Sequence, residues 1–266
     1  RVISAWPVRG GVAVRDGVVY LAAGIWPSDG VYLHALEAAT GKVIWSNGDT
    51  GKMEMKQPHG GAEAQSGVAP QGYLVVTDDA LIVPTGRAVP AVFDRKDGKF
   101  RHYRLQENQQ RGGTRTMAVG DNYLNGGCLF DLATGDLGAK VGLGISCTIS
   151  GGLARAEGRS LTTYRWDDVE KVDRKGEMRR VKQLVQTQLV PVKEEVTEMV
   201  IAGSDAVIGG DGWVGAIDFS GQRNLWWSAE VRGKVRGLAV AEGALVVTTD
   251  RGDVHVFDGR PGPVVG

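Results

Sequence analysis

The stretch Ala35–Trp45, ALEAATGKVIW, places an acid, then Thr-Gly-Lys, then a tryptophan at fixed offsets between two short apolar runs. The acid at Glu37 ends one run and can accept hydrogen bonds from backbone N–H groups a few residues on. Gly41 takes the left-handed conformation that other residues resist. The segment therefore reads as strand, tight turn, strand.

The same turn recurs along the chain. It appears as Asp94 with Gly98, Asp131 with Gly135, Asp173 with Gly176, Asp218 with Gly221 and then Trp226, and finally Asp258. Successive acids are 57, 37, 42, 45 and 40 residues apart. Propeller blades repeat at about 40–50 residues. Upstream of five of these acids lies a hairpin of apolar runs, joined by Asp16-Gly17, Asp78-Asp79, Gly120-Asp121, Ser204-Asp205 or Glu242-Gly243. These are turn formers between β-branched and aromatic flanks. Each unit then supplies about four strands, and a four-stranded sheet repeated radially is a propeller blade.

Composition agrees. The 266 residues include 40 glycines, as many tight turns require, and about two fifths of the chain is hydrophobic. The expected fold is an all-β propeller of four-stranded antiparallel blades in one domain, residues 1–266. The blades are expected at about 9–50, 67–106, 113–142, 145–193, 197–230 and 234–259. Residues 1–8, with Trp6, read as the outer strand of the last blade or of a missing one, which leaves a closed six-bladed ring and an arc of an eight-bladed ring both open. Residues 47–72 read as a long loop insertion, and the charged stretch around Glu170–Val192 as a solvated outer hairpin rather than a helix.

The 31 basic and 31 acidic residues cancel, so a general nucleic-acid binder is not expected. No apolar run has the roughly 20 residues of a membrane helix. The chain opens on Arg1 rather than Met, so it reads as a mature or excised piece in which a missing leader carries no weight. Cys128 and Cys147 are read as buried thiols, with a single bridge left open.

The pattern of Ala35, Glu37, Thr40, Gly41, Lys42 and Trp45 resembles the tryptophan-docking repeat of the pyrroloquinoline quinone (PQQ)-like, or quinoprotein alcohol dehydrogenase-like, propeller family. That family includes cofactor-free scaffold relatives, such as the outer-membrane assembly lipoprotein propeller. The resemblance implies that Trp45 and Trp226 pack between neighbouring blades. His102 and Ala139 stand where the middle units would carry the tryptophan. It further implies an extracytoplasmic location, periplasmic or secreted. A quinoprotein dehydrogenase of this kind is expected to carry a vicinal cysteine pair, an acidic base and calcium ligands. Here the cysteines are not adjacent, and no motif places the base or the ligands.

Candidate ligand-binding residues lie on loops, where a rigid scaffold presents function. The insertion offers Lys56, Gln57, His59, Glu63 and Gln71, and a second loop offers Trp26. Together these are expected to line the channel mouth or merely to cap it. In a stretch that also holds Gln109, Arg111 and Arg115 flank a Gly-Gly-Thr bend and could hold an anion, with inter-blade ion pairing as the plainer role. The run Asp167, Asp168, Glu170 reads as a solvated turn, and none of His34, His59, His102 and His255 is spaced as a zinc pair.

The function expected is a non-catalytic scaffold that binds a protein, peptide or glycan on the propeller face, within a larger extracytoplasmic protein. No cofactor, metal, nucleic acid or membrane span is expected, and a monomer suffices. The alternative is a quinoprotein-type oxidoreductase with PQQ and calcium over the central channel, near His59 and Arg115. A third reading uses Trp26 as a sugar platform.

Overall fold

The computed structural model describes residues 4–57, 60–86, 88–105, 112–172, 176–219 and 225–258. Its contacts divide the chain into two compact units, Arg1–Gly142 and Leu143–Gly266. Among the described residues there is no α-helix, and a single 3-10 turn spans Pro27–Asp29. The fold is an all-β propeller fold of antiparallel blades.

The first unit holds three four-stranded meanders. The first consists of β1 (Ala13–Arg15), β2 (Val18–Ala23), β3 (Tyr32–Glu37) and β4 (Val43–Asn47). A two-stranded ribbon follows, β5 (Met53–Lys56) and β6 (Glu63–Ser66). The second meander is β7 (Val75–Val76), β8 (Ala80–Thr85), β9 (Ala88–Asp94) and β10 (Phe100–Arg104). The third is β11 (Thr116–Val119), β12 (Asn122–Asn125), β13 (Cys128–Asp131) and β14 (Leu137–Lys140).

The second unit opens with β15 (Ile145–Ile149), β16 (Gly152–Glu157), β17 (Ser160–Val172) and β18 (Met178–Pro191). A six-stranded sheet follows, made of β19 (Glu198–Ala202), β20 (Asp205–Gly209), β21 (Asp211–Asp218), β22 (Leu225–Ala241), β23 (Ala244–Thr249) and β24 (Val254–Asp258). Strand β22 serves two blades. Its first part pairs with β21 up to Lys234, and from Val235 it pairs with β23. The changeover is pinned where Val235 N–H donates to Gly210 O at 2.9 Å and Thr197 Oγ1 donates to Val235 O at 2.9 Å.

The turn chemistry is as the repeat requires. Glu37, Asp94 and Asp131 each accept at their carbonyl a hydrogen bond from the glycine four residues on, at 2.8, 3.0 and 2.9 Å. Those glycines, Gly41, Gly98 and Gly135, have φ of 72–73°. The Asp94 and Asp131 carboxylates accept from Lys96 N–H at 2.8 Å and Thr134 N–H at 2.8 Å, while Glu37 takes the Thr40 hydroxyl instead. The longer Glu side chain reaches the hydroxyl where Asp reaches the backbone. Gly176 also has positive φ, 85°. It sits near the tip of the β17–β18 hairpin, which pairs from Ser160↔Pro191 out to Val172↔Met178. Asp173 and Gly221 lie outside the described residues, so the turns around them are not described.

Three expectations are corrected. Residues 4–8 form no strand; Val8 makes one bridge to Ala23 of the first blade, and Trp6 Nε1 donates to Asp29 O at 2.8 Å. The insertion 47–72 is not bare loop, because β4 runs to Asn47 and the β5–β6 ribbon occupies its middle. Asp167, Asp168 and Glu170 lie within strand β17, not in a turn. Alternation explains the last point: Asp168↔Lys182 and Glu170↔Arg180 are cross-strand pairs of opposite charge on one face.

The cores are shared between adjacent sheets. In the first unit Tyr20, Leu33, Ala35 and Trp45 of the first blade cluster with Leu81, Val83, Ala91 and Phe93 of the second. In the second unit Ala154, Ala156 and Leu161 cluster with Met199, Ala206, Ile208 and Ile217. A sheet so covered gains roughly 25 cal/mol per Å² of apolar area removed from water. Cys128 is buried, and burial pushes its thiol pKa up. Cys147 is only half-buried, contrary to expectation; it sits midway along β15, the edge strand of its sheet, where its Sγ reaches Met199 O at 3.3 Å. Cys128 is a free thiol.

Candidate interaction surfaces

The junction between the first two blades is closed by one ring. Trp45, on β4, is 8% exposed, and its Nε1 donates to Arg95 O at 3.0 Å. Arg95 is the residue after the turn acid Asp94. The indole lies over Gly98, where any Cβ would run into the ring. Asn47, two residues on, donates to Gly98 O at 2.8 Å. Polar contacts frame this packing: Arg95 donates to the Tyr20 hydroxyl at 2.9 Å and to Asp16 at 2.6 Å. Within the second blade Arg101 bridges Asp79 and Asp94 and holds both carboxyls below the usual range.

The next junction repeats the arrangement with a different ring. His102 Nε2–H donates to Leu132 O at 3.0 Å, again the residue after the turn acid, Asp131. A Cβ on Gly135 would come within 2.6 Å of His102 Nδ1. Arg104 donates to Thr134 O at 3.3 Å and pairs with Asp136 at 2.7 Å. His102 stacks on Tyr123 at 6.4 Å between centroids. Its Nδ1 is buried without a partner, and burial holds its pKa below the ordinary histidine value.

Register explains the equivalence. Ala35 faces Trp45 at the last pair before a bulge, and Val92 faces His102 at the corresponding place. The same position is Ala139 opposite Leu129 in the third blade, Gln188 opposite Thr163 in the fourth, and Trp227 opposite Ala216 in the fifth. Here the expectation for Trp226 fails. Trp226 is the bulge residue and is 61% exposed, whereas Trp227 packs edge-on against Phe257 at 5.3 Å. Counting from the glycine misplaces the ring because the segment from Gly221 is longer than that from Gly41.

A second surface carries the loop residues. Gly67 and Gly51 meet backbone to backbone, and a Cβ on Gly51 would lie 2.9 Å from Val31 N and 3.1 Å from Pro27 O. The root of the insertion is thus locked to the loop that bears Trp26. Val31 and Val68 are fully buried there. Trp26 is 66% exposed, and Lys56 and Glu63 are exposed on the ribbon. Gln57 does not reach outward. Its carboxamide donates to Met55 O at 3.0 Å and Ser66 Oγ at 2.9 Å, closing the ribbon on itself. Gln71 is likewise engaged, bridging Thr85 with its N–H on Pro84 O at 2.8 Å. His59, Gln109 and Arg111 lie outside the described residues. Arg115 is exposed at the end of a bend that Asn125 organises. The Asn125 side chain, 2% exposed, accepts from Gly113 N–H at 3.0 Å and donates to Gly113 O at 2.8 Å, Arg115 O at 3.0 Å and Thr116 Oγ1 at 2.8 Å. The sequence signal for Asn125 was an amide ending a short strand just before Gly126-Gly127.

The third feature is a groove of about 1080 Å³ in the second unit, between β18 and the β21–β22 pair. Sequence reading singled out none of its residues as a candidate site. It lies where Gln188, not a ring, occupies the junction position.

His34 and His255 are structural in setting. His34 hydrogen-bonds Ser46 at 2.7 Å across strands, and His255 stacks on Phe257. Among the described residues no group of three or more His, Cys, Asp and Glu could hold a metal ion. Cys128 and Cys147 lie on different sheets.

Residues 2–265 match the family model described as outer membrane protein assembly factor BamB. The chain belongs to that family. Among solved structures it is similar to BamB from Moraxella catarrhalis, with 16% identity, a TM-score of 0.51, and coverage of 94% of this chain and 82% of that one. It is also similar to the computationally designed Ika8 protein, with 14% identity, a TM-score of 0.61, and coverage of 94% and 70%. The C-terminal WD40 domain of Sif2 gives 11% identity, a TM-score of 0.59, and coverage of 91% and 64%. At these identities the structural likeness establishes the fold alone. No curated protein sequence matches the chain.

Proposed function

We propose that this chain is an extracytoplasmic, non-catalytic propeller scaffold that binds a protein partner through loops and grooves held by rigid blades. The family match over residues 2–265 carries the reading. It is supported by the chemistry present: exposed Trp26 and Lys56 stand on a root locked by glycine contacts, which is how a binding surface is presented without reorganisation. Trp45 acts as a docking tryptophan that keeps the blades in place for this purpose.

The test is site-specific photo-crosslinking in the native cell, with the crosslinker at Trp26, Lys56 or Arg115 in turn. The expected result is a discrete adduct with an identified cell-envelope protein. Adducts only with cytosolic proteins, or none at any of these positions, would contradict the reading.

A further inference from the structure

Within each unit, neighbouring blades meet at a position that the register defines. Trp45, His102 and Trp227 fill it with a ring. Between the fourth and fifth blades it holds Gln188, whose Oε1 is buried without a hydrogen-bond partner. A carboxamide does not cover the area of an indole. The consequence is the groove of about 1080 Å³. That volume is at the upper end of pockets that enclose small ligands, roughly 300–1,000 Å³, so it admits several residues of chain rather than one ring.

Its walls state what it would take. Leu189, Ile217 and Leu225 line it, and Leu189 and Leu225 are 61% and 48% exposed. Both leave apolar surface open along the groove. The rim carries Glu194, Asp211 and Glu230 against one cation, Lys193. An acidic rim around an apolar floor favours a cationic partner in encounter and in register.

We propose that this groove docks a short segment of the partner protein, one aromatic side chain flanked by Lys or Arg, with the partner's ring taking the junction place that Trp45 takes internally. This deepens the scaffold reading and rests on it. The segment is aromatic because the equivalent junctions close on rings, and basic because carboxylates outnumber the ammonium on the rim. Aromatic and Arg residues are also those that dominate interface energetics.

The test uses the full chain and a fluorescein-labelled nonapeptide, Gly-Arg-Ser-Lys-Trp-Lys-Ser-Arg-Gly, read by anisotropy in 0.15 M salt. Saturable binding is expected. It should fall at least tenfold when the peptide Trp is replaced by Ser, and at least tenfold in Gln188→Trp, which supplies the missing ring from within. The pair Asp211→Lys with Glu230→Lys should weaken it similarly. Ser228→Trp, placed at an exposed position on the rim, should block the groove if Gln188→Trp does not fold. Absence of binding to the wild-type chain, or equal binding to the ring-filled and charge-reversed variants, would overturn the proposal. A crosslinker at Ser228 separates this from the broader reading. A partner captured through Lys56 but never through Ser228 would sink the groove and leave the scaffold.

Discussion

The junction of the first and second blades and that of the fourth and fifth use the same register position and reach opposite results. At the first, Trp45 covers Gly98 and its N–H is satisfied by Arg95 O, so apolar area and hydrogen bond are secured together. At the second, Gln188 leaves a groove with two exposed leucines. The residue at that position is what separates the two: a ring where the junction is closed core, a carboxamide where it is an open surface. The His102 junction shows that the ring need not be indole, provided it can lie on a glycine and donate to the carbonyl after the turn acid.

The largest effect should come from emptying the closed junction. Trp45→Ala is expected to destabilise the first unit by about 3–5 kcal/mol in urea unfolding, since a large aromatic is lost from a site that cannot collapse onto Gly98. The fifth blade offers a paired control. Trp227→Ala should cost about 2–4 kcal/mol, as a packed aromatic does, while Trp226→Ala should stay within about 0.5 kcal/mol because the ring is largely in water. Equal effects of the two would mean that register does not select the packing residue.

What the sequence disclosed, and what it hid, follows the same division. The turns were readable because their chemistry is local: an acid and a glycine four residues on set the hydrogen bonds of the turn. Hence Glu37, Asp94 and Asp131 were found with their glycines, and the alternating charges of Glu170–Val192 were placed on a hairpin. The ring positions were harder, because they depend on a bulge. Spacing from the glycine found Trp45 but chose Trp226 over Trp227, and it treated His102 as a gap in the pattern. The groove left no local signal at all. Gln188 is one polar residue in a Val- and Gln-rich strand, and its importance appears only once Thr163 is seen opposite it. The ribbon's candidate residues divided similarly: Lys56 and Trp26 stand exposed, whereas Gln57 is spent on Met55 and Ser66.

Smaller effects sharpen the contrast. Gly98→Ala should cost about 1–3 kcal/mol, because the methyl meets the Trp45 ring and φ is +72°; combined with Trp45→Ala the steric part should vanish, leaving a non-additive cycle. The reverse change at the open junction, Gln188→Trp, should raise stability by about 1 kcal/mol by filling the groove, read as an increase in Tm. The His102 junction should respond to pH. Its folded-state pKa is depressed by burial, so the unfolded chain binds the extra proton first. Stability should be fully present above about pH 6.5, the unfolded value, and decline as pH falls below it toward the folded pKa. Comparing unfolding midpoints at successive pH values between wild type and His102→Gln isolates this contribution from the other histidines.

The most direct measurement is amide hydrogen exchange on Trp45→Ala, comparing the turn Asp94–Lys99 with the turn Asp131–Asp136 under native conditions. If one ring closes one junction, protection should drop at Asp94–Lys99 and persist at Asp131–Asp136, which His102 still covers. Unchanged protection at the first turn, or equal loss at both, would contradict the claim that each junction is held by its own ring.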